Sequence, residues 1–394
     1  MVEAEKMSKS TGNFIMLSDA IRGQRTMEMK IEKKGGKKKG NEEEDFETKV
    51  LQIGWTSDAT RVALADGGDL LEDANFTCDV ADNAVMRLFS ETRFAEQIVN
   101  EETLNREIKG DVPDHSDALI EFQEKVFDAQ MDQAIDLVDA AFSAMRFRDA
   151  LKDGFFILSD CRDVYRKAIL QLGGQFNYPL MRRYVETYAK LISPICPHYS
   201  ENIYRNILGN NKGSVFDSGF PKAKLEQSQR QLYVKKIDYL INLEHKARTA
   251  MEKMIQRSKT LVKASEVVFS IGSEVPQWHS FVCDYLRNQA KSAESPSKPE
   301  TLTGLSKAMG SDPQLKPFLK DAMKLAPGIY DAAQSEGESA YETICPFNEE
   351  ELLEMYKPLM LKFLDLDDIQ LKLVGPEVAL PGKPVVSVKT IPKN

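Results

Sequence analysis

The chain has 394 residues and a mass of 44.4 kDa, which corresponds to two or three domains of ordinary size. Hydrophobic residues make up 42% and charged residues 29% of it, which is too apolar for a disordered chain and too charged for a membrane bundle. The 52 Lys and Arg against 61 Asp and Glu leave a net charge of −9, which by itself argues against a basic nucleic-acid-binding protein.

Cysteine spacing and targeting patterns predict a cytoplasmic protein. The cysteines at 78, 161, 196, 283 and 345 lie far apart and form no Cys-x-x-Cys pair. This usage is typical of free thiols in a reducing compartment, and it predicts neither a disulfide framework nor a protein-bound metal. The N-terminal residues show no targeting segment, and no apolar run approaches the roughly 18 residues of a membrane span. We therefore predict no membrane partner.

Residues 1–57 combine a short polar loop with a strongly charged segment. Between residues 22 and 54, a run of lysines precedes a run of acidic residues, with almost no apolar side chains among them. Such a segment cannot bury enough apolar surface to offset the entropy lost on ordering. We therefore predict a disordered, charged insertion over 22–54.

Residues 58–223 show the period of helices. Over 117–151, apolar residues recur at spacings of three and four, with one step of eight, which places them on one helical stripe. These residues are Leu119, Phe122, Val126, Ala134, Val138, Ala141 and Met145. Gly173-Gly174 and the prolines at 194 and 197 punctuate the pattern, so we predict antiparallel helices joined by short turns.

Residues 224–394 mix the two periods. A helix or helix pair is predicted over 224–263, and the β-branched run from Val267 to Ile271 predicts a strand. Further helical segments follow, and the alternation from Ile369 to Val374 predicts a second strand with one solvent-exposed face. Three prolines then predict a stiff tail. A small α+β domain accounts for this pattern.

The stretch Lys6-Met7-Ser8-Lys9-Ser10-Thr11-Gly12-Asn13 is the most informative in the chain. Two lysines three residues apart, hydroxyl groups between them and a following glycine suit a mobile loop that clamps a polyphosphate. Such a clamp stabilises charge that develops on a leaving pyrophosphate when a carboxylate attacks an α-phosphate. An ordinary solvated basic loop has the same composition, so the rest of the sequence has to decide between the two.

The stretch resembles the KMSKS signature of class I aminoacyl-tRNA synthetases in its extended form, KMSKSTGN. Downstream, DATRVALAD at 58–66 and GDLLEDANF at 68–76 are similar to the segment that precedes the anticodon-binding helices of leucyl-tRNA synthetases, in their archaeal and eukaryotic cytosolic version. FRDALKDGFF at 147–156 and PICPH at 194–198 are similar to later landmarks of that helical domain. Residues 345–373, which include NEEELL, resemble the family's C-terminal domain. The resemblance thus covers most of the chain outside 22–54.

The resemblance implies a mostly α fold. It places the signature loop and a remnant of the catalytic core at 1–57, and an antiparallel helix bundle of the anticodon-binding type at 58–223. A small α+β tRNA-binding domain is implied at 224–394. We interpret the chain as a C-terminal portion of such an enzyme that begins at the KMSKS loop.

The resemblance also implies leucine–tRNA ligase chemistry, with ATP and Mg²⁺, leucine and tRNA(Leu) as its partners. Lys9 is then the catalytic lysine that contacts the ATP phosphates, and Lys6 supports it. Met7, Ser8 and Ser10 complete the ATP-binding loop. No protein-bound metal is implied, and further protein partners stay open.

The segment 224–263 carries ten Lys or Arg against four Asp or Glu, a local net charge of +6. One interpretation is a surface that follows tRNA phosphates. The other is a solvated helix face with internal ion pairs. The candidate tRNA-binding residues are Lys235, Lys236, Lys246, Arg248, Lys253 and Arg257.

The sequence departs from the family in its histidines. The histidines at 115, 198, 245 and 279 form no H-x-x-H cluster, so the HIGH-type signature of the family's upstream Rossmann fold is not among these residues. No Gly-x-Gly-x-x-Gly or Walker A motif replaces it. The alternative hypothesis is a catalytically inactive, stand-alone module that binds tRNA or other RNA, or interacts with proteins.

We expect the purified chain to show no leucine-dependent exchange of pyrophosphate into ATP, because the residues that would form the adenylate pocket are not in its sequence. Incorporation of labelled pyrophosphate into ATP measures this, with a full-length leucyl-tRNA synthetase as the positive control. Exchange clearly above the protein-free background would contradict the interpretation.

Overall fold

The computed structural model describes residues 1–4, 6, 14–16, 20, 25–32, 46–68, 75–109, 117–257, 262–291 and 297–392. The chain divides into two compact units, Met1–Tyr233 and Val234–Asn394, with the boundary inside a long helix. Helices dominate both units, which confirms the predicted mostly α class with a small α+β part. The three-part division at 57/58 and 223/224 stays a prediction.

A β-hairpin precedes the bundle. Strands β1 (Arg25–Glu32) and β2 (Phe46–Ile53) pair antiparallel along their whole length. This corrects the prediction of disorder for these two segments. Apolar residues at every second position of β1, at 27, 29 and 31, carry the period of a strand, which the charged composition obscured. Residues 33–45, with most of the lysine and acidic runs, lie outside the described residues.

Helices build the rest of the first unit. They are α1 (Ser57–Asp66), α2 (Cys78–Lys109), α3 (Ala118–Ser143), α4 (Phe147–Leu151), α5 (Leu158–Leu172), α6 (Tyr178–Ile192) and α7 (Pro197–Glu201). One π-helical turn (Lys152–Ile157) joins α4 to α5, another (Asn202–Ile207) follows α7, and a 3₁₀ turn (Val215–Ser218) comes last.

The predicted stripe of α3 faces the core with one exception. Its six residues from Leu119 to Ala141 are buried, whereas Met145 is 71% exposed. Met145 lies beyond the C-terminus of the helix, with a φ of 57°, so the helical period no longer applies to it. Asp117 caps the other end, because its side chain accepts a hydrogen bond from the N–H of Leu119.

The second unit is built on a three-stranded sheet. Its central strand β3 (Val262–Gly272) pairs parallel with β4 (Asp368–Val374) and antiparallel with β5 (Val385–Pro392). The helices are α8 (Gln227–Arg257), which begins in the first unit, α9 (Gln277–Ala290), α10 (Lys298–Ser311), α11 (Leu319–Glu336) and α12 (Glu349–Leu364), with 3₁₀ turns at Lys316–Phe318 and Gly337–Tyr341.

Both predicted strands are present, but β5 replaces part of the predicted stiff tail. The prolines before it end at Pro384, and the following Val-Val-Ser-Val run pairs with β3. The inner positions of the sheet, such as Val267, Phe269 and Ile369, are buried.

A buried aspartate ties three segments of the first unit together. Asp132 of α3 is fully buried, and its Oδ1 pairs with the guanidinium group of Arg183 on α6. Its Oδ2 accepts hydrogen bonds from the backbone N–H groups of Lys224 (2.7 Å) and Leu225 (2.6 Å). Because both oxygens have strong donors, the cost of burying this charge is offset.

We expect Asp132→Asn to lower the free energy of unfolding by about 3 kcal/mol. The substitution removes the buried negative charge, and the new NH₂ group faces N–H donors with which it cannot form a hydrogen bond. Asp136→Asn is the matched control, since Asp136 lies one turn further along α3 but is 54% exposed, where it pairs with Arg230. That control should cost less than about 1 kcal/mol. Urea denaturation followed by circular dichroism measures both, and equal losses would contradict the role of Asp132.

Candidate nucleic-acid interface

Of the predicted ATP-binding residues, the structure describes Lys6, which is exposed. Met7, Ser8, Lys9 and Ser10 lie outside the described residues. What the structure shows is how the chain is fixed on either side of them.

The segment that leads into the signature stretch is anchored at the start of α2. Val2 is buried and forms a parallel bridge with Phe76. The N–H of Glu3 donates to the carbonyl of Phe76 (2.9 Å), and the N–H of Cys78 donates to Glu3 Oε1 (2.7 Å). A carboxylate at this position also interacts favourably with the positive end of the helix dipole.

The segment that follows the signature stretch is anchored at the same place. The N–H of Trp55 donates to the carbonyl of Ala20 (2.7 Å), and its indole N–H donates to Asp82 of α2 (2.7 Å). The Trp55 ring also packs edge-on against Phe76, with 5.3 Å between centroids. Both flanks of the signature stretch therefore rest on the first turns of α2.

The six candidate tRNA-binding residues all lie on α8. Lys235, Lys246, Lys253 and Arg257 are separated by 11, seven and four residues. At about 100° per residue, these intervals place all four within a sector of about 40°. We call this set the basic stripe. Lys236 lies about 100° from Lys235, and Arg248 lies about 160° from Lys246 on the far side of the helix.

Ion pairing separates these residues further. Lys235 lies 3.5 Å from Glu342, and Arg248 donates to Glu244 and to the carbonyl of Phe363, both at 2.6 Å. Lys246, Lys253 and Arg257 are exposed, and no carboxylate in the described part of the chain lies within salt-bridge distance of them. The ion-pair interpretation therefore suits Lys235 and Arg248, whereas Lys246, Lys253 and Arg257 have no carboxylate partner among the described residues.

His279 and His198 lie in different environments. Burial lowers the pKa of His279 to about 4, so it is neutral at physiological pH. His198 Nδ1 lies 3.0 Å from Asp58 and 3.2 Å from the hydroxyl of Ser57. Both partners meet the same ring nitrogen, so these three residues are not arranged as a Ser-His-Asp relay, which uses both nitrogens.

The described residues contain neither a metal site nor a membrane span. Among the ranges given above, no group of three His, Cys, Asp or Glu residues is placed to hold a metal ion. No helix in those ranges is long and apolar enough to cross a membrane.

A second group of cations was not singled out from the sequence. Arg182, Arg183 and Lys190 of α6 line a cleft together with Lys222 and Lys224. The adjacent arginines and the Lys-x-Lys pattern were visible signals, but about 30 to 40 residues separate them in the chain. Only the fold shows that they share one cleft.

Comparison with known proteins first defines the class. Residues 124–266 match the family described as the anticodon-binding domain of tRNA ligase. The matched range begins in α3 and ends in β3, so it includes Asp132, the cleft and the basic stripe. Residues 124–266 thus form a domain of the anticodon-binding type.

The curated relatives then narrow the class. The chain is 31% identical to the cytoplasmic leucine--tRNA ligase of Saccharomyces cerevisiae over 73% of this chain and 22% of the relative. It is 26% identical to that of Dictyostelium discoideum (97% and 33%) and 27% identical to that of Arabidopsis thaliana (98% and 34%). The resemblance is therefore confirmed: over most of its length the chain is related to cytoplasmic leucine--tRNA ligases, and it spans 22% to 34% of these relatives.

We expect the triple variant Lys246→Gln/Lys253→Gln/Arg257→Gln to bind a leucine tRNA transcript at least about tenfold more weakly, because each substitution removes one positive charge that is available to a phosphate. The slope of log K against log salt should flatten by about 2. Fluorescence anisotropy across a salt series measures both. Lys152→Gln/Lys316→Gln/Lys320→Gln, which removes three exposed lysines elsewhere, is the matched control, and equal effects of the two variants would contradict a role for the basic stripe.

Proposed function

We propose that this chain is the part of a leucine--tRNA ligase that supplies the KMSKS signature loop and tRNA-binding domains. The observation that carries this proposal is the similarity to cytoplasmic leucine--tRNA ligases over up to 98% of the chain, together with the anticodon-binding match. The relatives are named as cytoplasmic, which supports a cytoplasmic location.

The proposed reaction has two steps. A carboxylate oxygen of leucine attacks the α-phosphorus of ATP, and the bond to the β-phosphate breaks to release pyrophosphate. A ribose hydroxyl of the terminal adenosine of tRNA(Leu) then attacks the carbonyl carbon of leucyl-adenylate, and AMP leaves. Both steps develop negative charge on phosphate oxygens.

Lys9 is proposed to contact the ATP phosphates during the first step, with Lys6 in support and Met7, Ser8 and Ser10 shaping the loop. Mg²⁺ accompanies ATP as part of the substrate. An ammonium group that meets the leaving pyrophosphate contributes most when the charge is largest, so it stabilises the transition state more than bound ATP. The anchoring of both flanks on α2 supports this role, because it restricts where the loop can move.

The tRNA-binding role is proposed for the surfaces of this chain, with the basic stripe of α8 as one contact. Its Lys246, Lys253 and Arg257 have the exposure and free charge that phosphate binding needs. Because such contacts carry no sequence information, we expect them to position tRNA rather than to select tRNA(Leu).

Lys9→Ala, in a leucine--tRNA ligase that contains this chain, should slow leucine-dependent ATP–pyrophosphate exchange by about 10²–10³-fold. The Kd for tRNA should stay within about twofold, because the lysine acts on the phosphates of ATP. Lys253→Ala is the reciprocal control, with weaker tRNA binding and unchanged exchange. Parallel losses of exchange and tRNA affinity in Lys9→Ala would contradict the assignment.

A further inference from the structure

A cleft of about 400 Å³ lies in the first unit, between α6 and the irregular segment at 221–224. One wall carries Arg182, Arg183 and, about two turns further along α6, Lys190, and the other carries Lys222 and Lys224. The carboxylates of Glu102 and Glu186 also line the cleft. Five cations and two carboxylates therefore share one concave surface, and positive charge is in excess there.

The α6 wall is held in place by internal contacts. Arg182 donates to Glu102 (3.1 Å) and to the carbonyl of Leu208 (2.6 Å). Arg183 pairs with both Asp128 and Asp132. Lys190 pairs with Glu186 (2.7 Å). All three cations of this wall are therefore already engaged, so they form a rigid wall rather than the main contacts for a ligand.

The opposite wall has a fixed backbone and free side chains. Asp132 accepts hydrogen bonds from the N–H groups of Lys224 and Leu225, which holds this segment against the bundle. The ammonium groups of Lys222 and Lys224 are exposed, and among the residues with described positions no carboxylate pairs with either. A fixed backbone that carries two unpaired cations suits an anionic ligand, because little conformational entropy of the backbone is lost when the ligand binds.

We propose that this cleft binds the phosphodiester backbone of tRNA, with Lys222 and Lys224 as the residues that contact phosphates. The inference rests on the proposed function for the identity of the partner, and it adds a second contact surface to the basic stripe. The cleft is open, and the described residues that line it include no aromatic ring on which a base could stack. Lysines that act as point charges suit phosphates, whereas reading a base edge would need other donors and acceptors.

Binding of a leucine tRNA transcript by the purified chain tests the proposal. Lys222→Gln/Lys224→Gln should raise the Kd about tenfold at low salt and flatten the slope of log K against log salt by about 1 to 2. Lys152→Gln/Lys320→Gln removes the same charge from exposed positions outside the cleft, and its Kd should stay within about twofold of the wild type.

Acylation of lysine side chains in the wild-type chain, read by mass spectrometry, provides a second measurement that needs no variant. The tRNA should protect Lys222 and Lys224, whereas inorganic phosphate at the same concentration of phosphate groups should not. Equal protection by inorganic phosphate would identify a small-anion site and overturn the proposal of an RNA site.

The two proposals fail in different ways. If the wild-type chain binds no tRNA, the proposed function of this chain fails and the cleft loses its partner. If the wild type binds tRNA but the cleft variant behaves like its control and neither lysine is protected, only the cleft inference is overturned. If the variant unfolds in a thermal melt, protection in the wild-type chain decides alone.

Discussion

The buried carboxylate of Asp132 holds three segments of the first unit together. Removing a carboxylate from water is costly, and only strong donors on both oxygens offset the cost. The guanidinium group of Arg183 meets one oxygen, and the N–H groups of Lys224 and Leu225 meet the other. The same contact therefore joins α3 to α6 and fixes the segment before α8. The contact that stabilises the bundle also shapes the cleft.

The distribution of charge matters more than its sum. A net charge of −9 argued against nucleic acid, yet Lys246, Lys253 and Arg257 follow one line on α8 at helical intervals and lack described carboxylate partners. The neighbouring Arg248 shows the opposite case, since it is held by Glu244 and a backbone carbonyl. The position of each cation around the helix axis and its ion pairs thus distinguish the cations that are available to phosphates from those that support the fold.

Local sequence patterns predicted most of the helices and strands, but they could not predict contacts between residues far apart in the chain. Apolar spacing predicted α3 and the alternation at 369–374 predicted β4, because both depend on nearest neighbours along the chain. The charged composition obscured β1 and β2, and the nearby prolines obscured β5. Each of these strands is stabilised by hydrogen bonds to another strand, which a local pattern does not reveal. The signature lysines were predicted from a resemblance, whereas the cleft unites residues that lie far apart in the chain, with Asp132 joining Arg183 to the backbone of Lys224.

One helix links the two regions to which function is assigned. In the first turns of α2, the N–H of Cys78 donates to Glu3, which precedes the signature stretch, and Asp82 accepts from the indole N–H of Trp55, which follows it. Glu102, further along the same helix, pairs with Arg182 at the cleft. From Cys78 to Glu102 a helix rises about 36 Å, and its continuous hydrogen bonds make it stiff over that length. In the proposed enzyme, tRNA phosphates in the cleft would therefore be held at a set distance from the base of the ATP-binding loop.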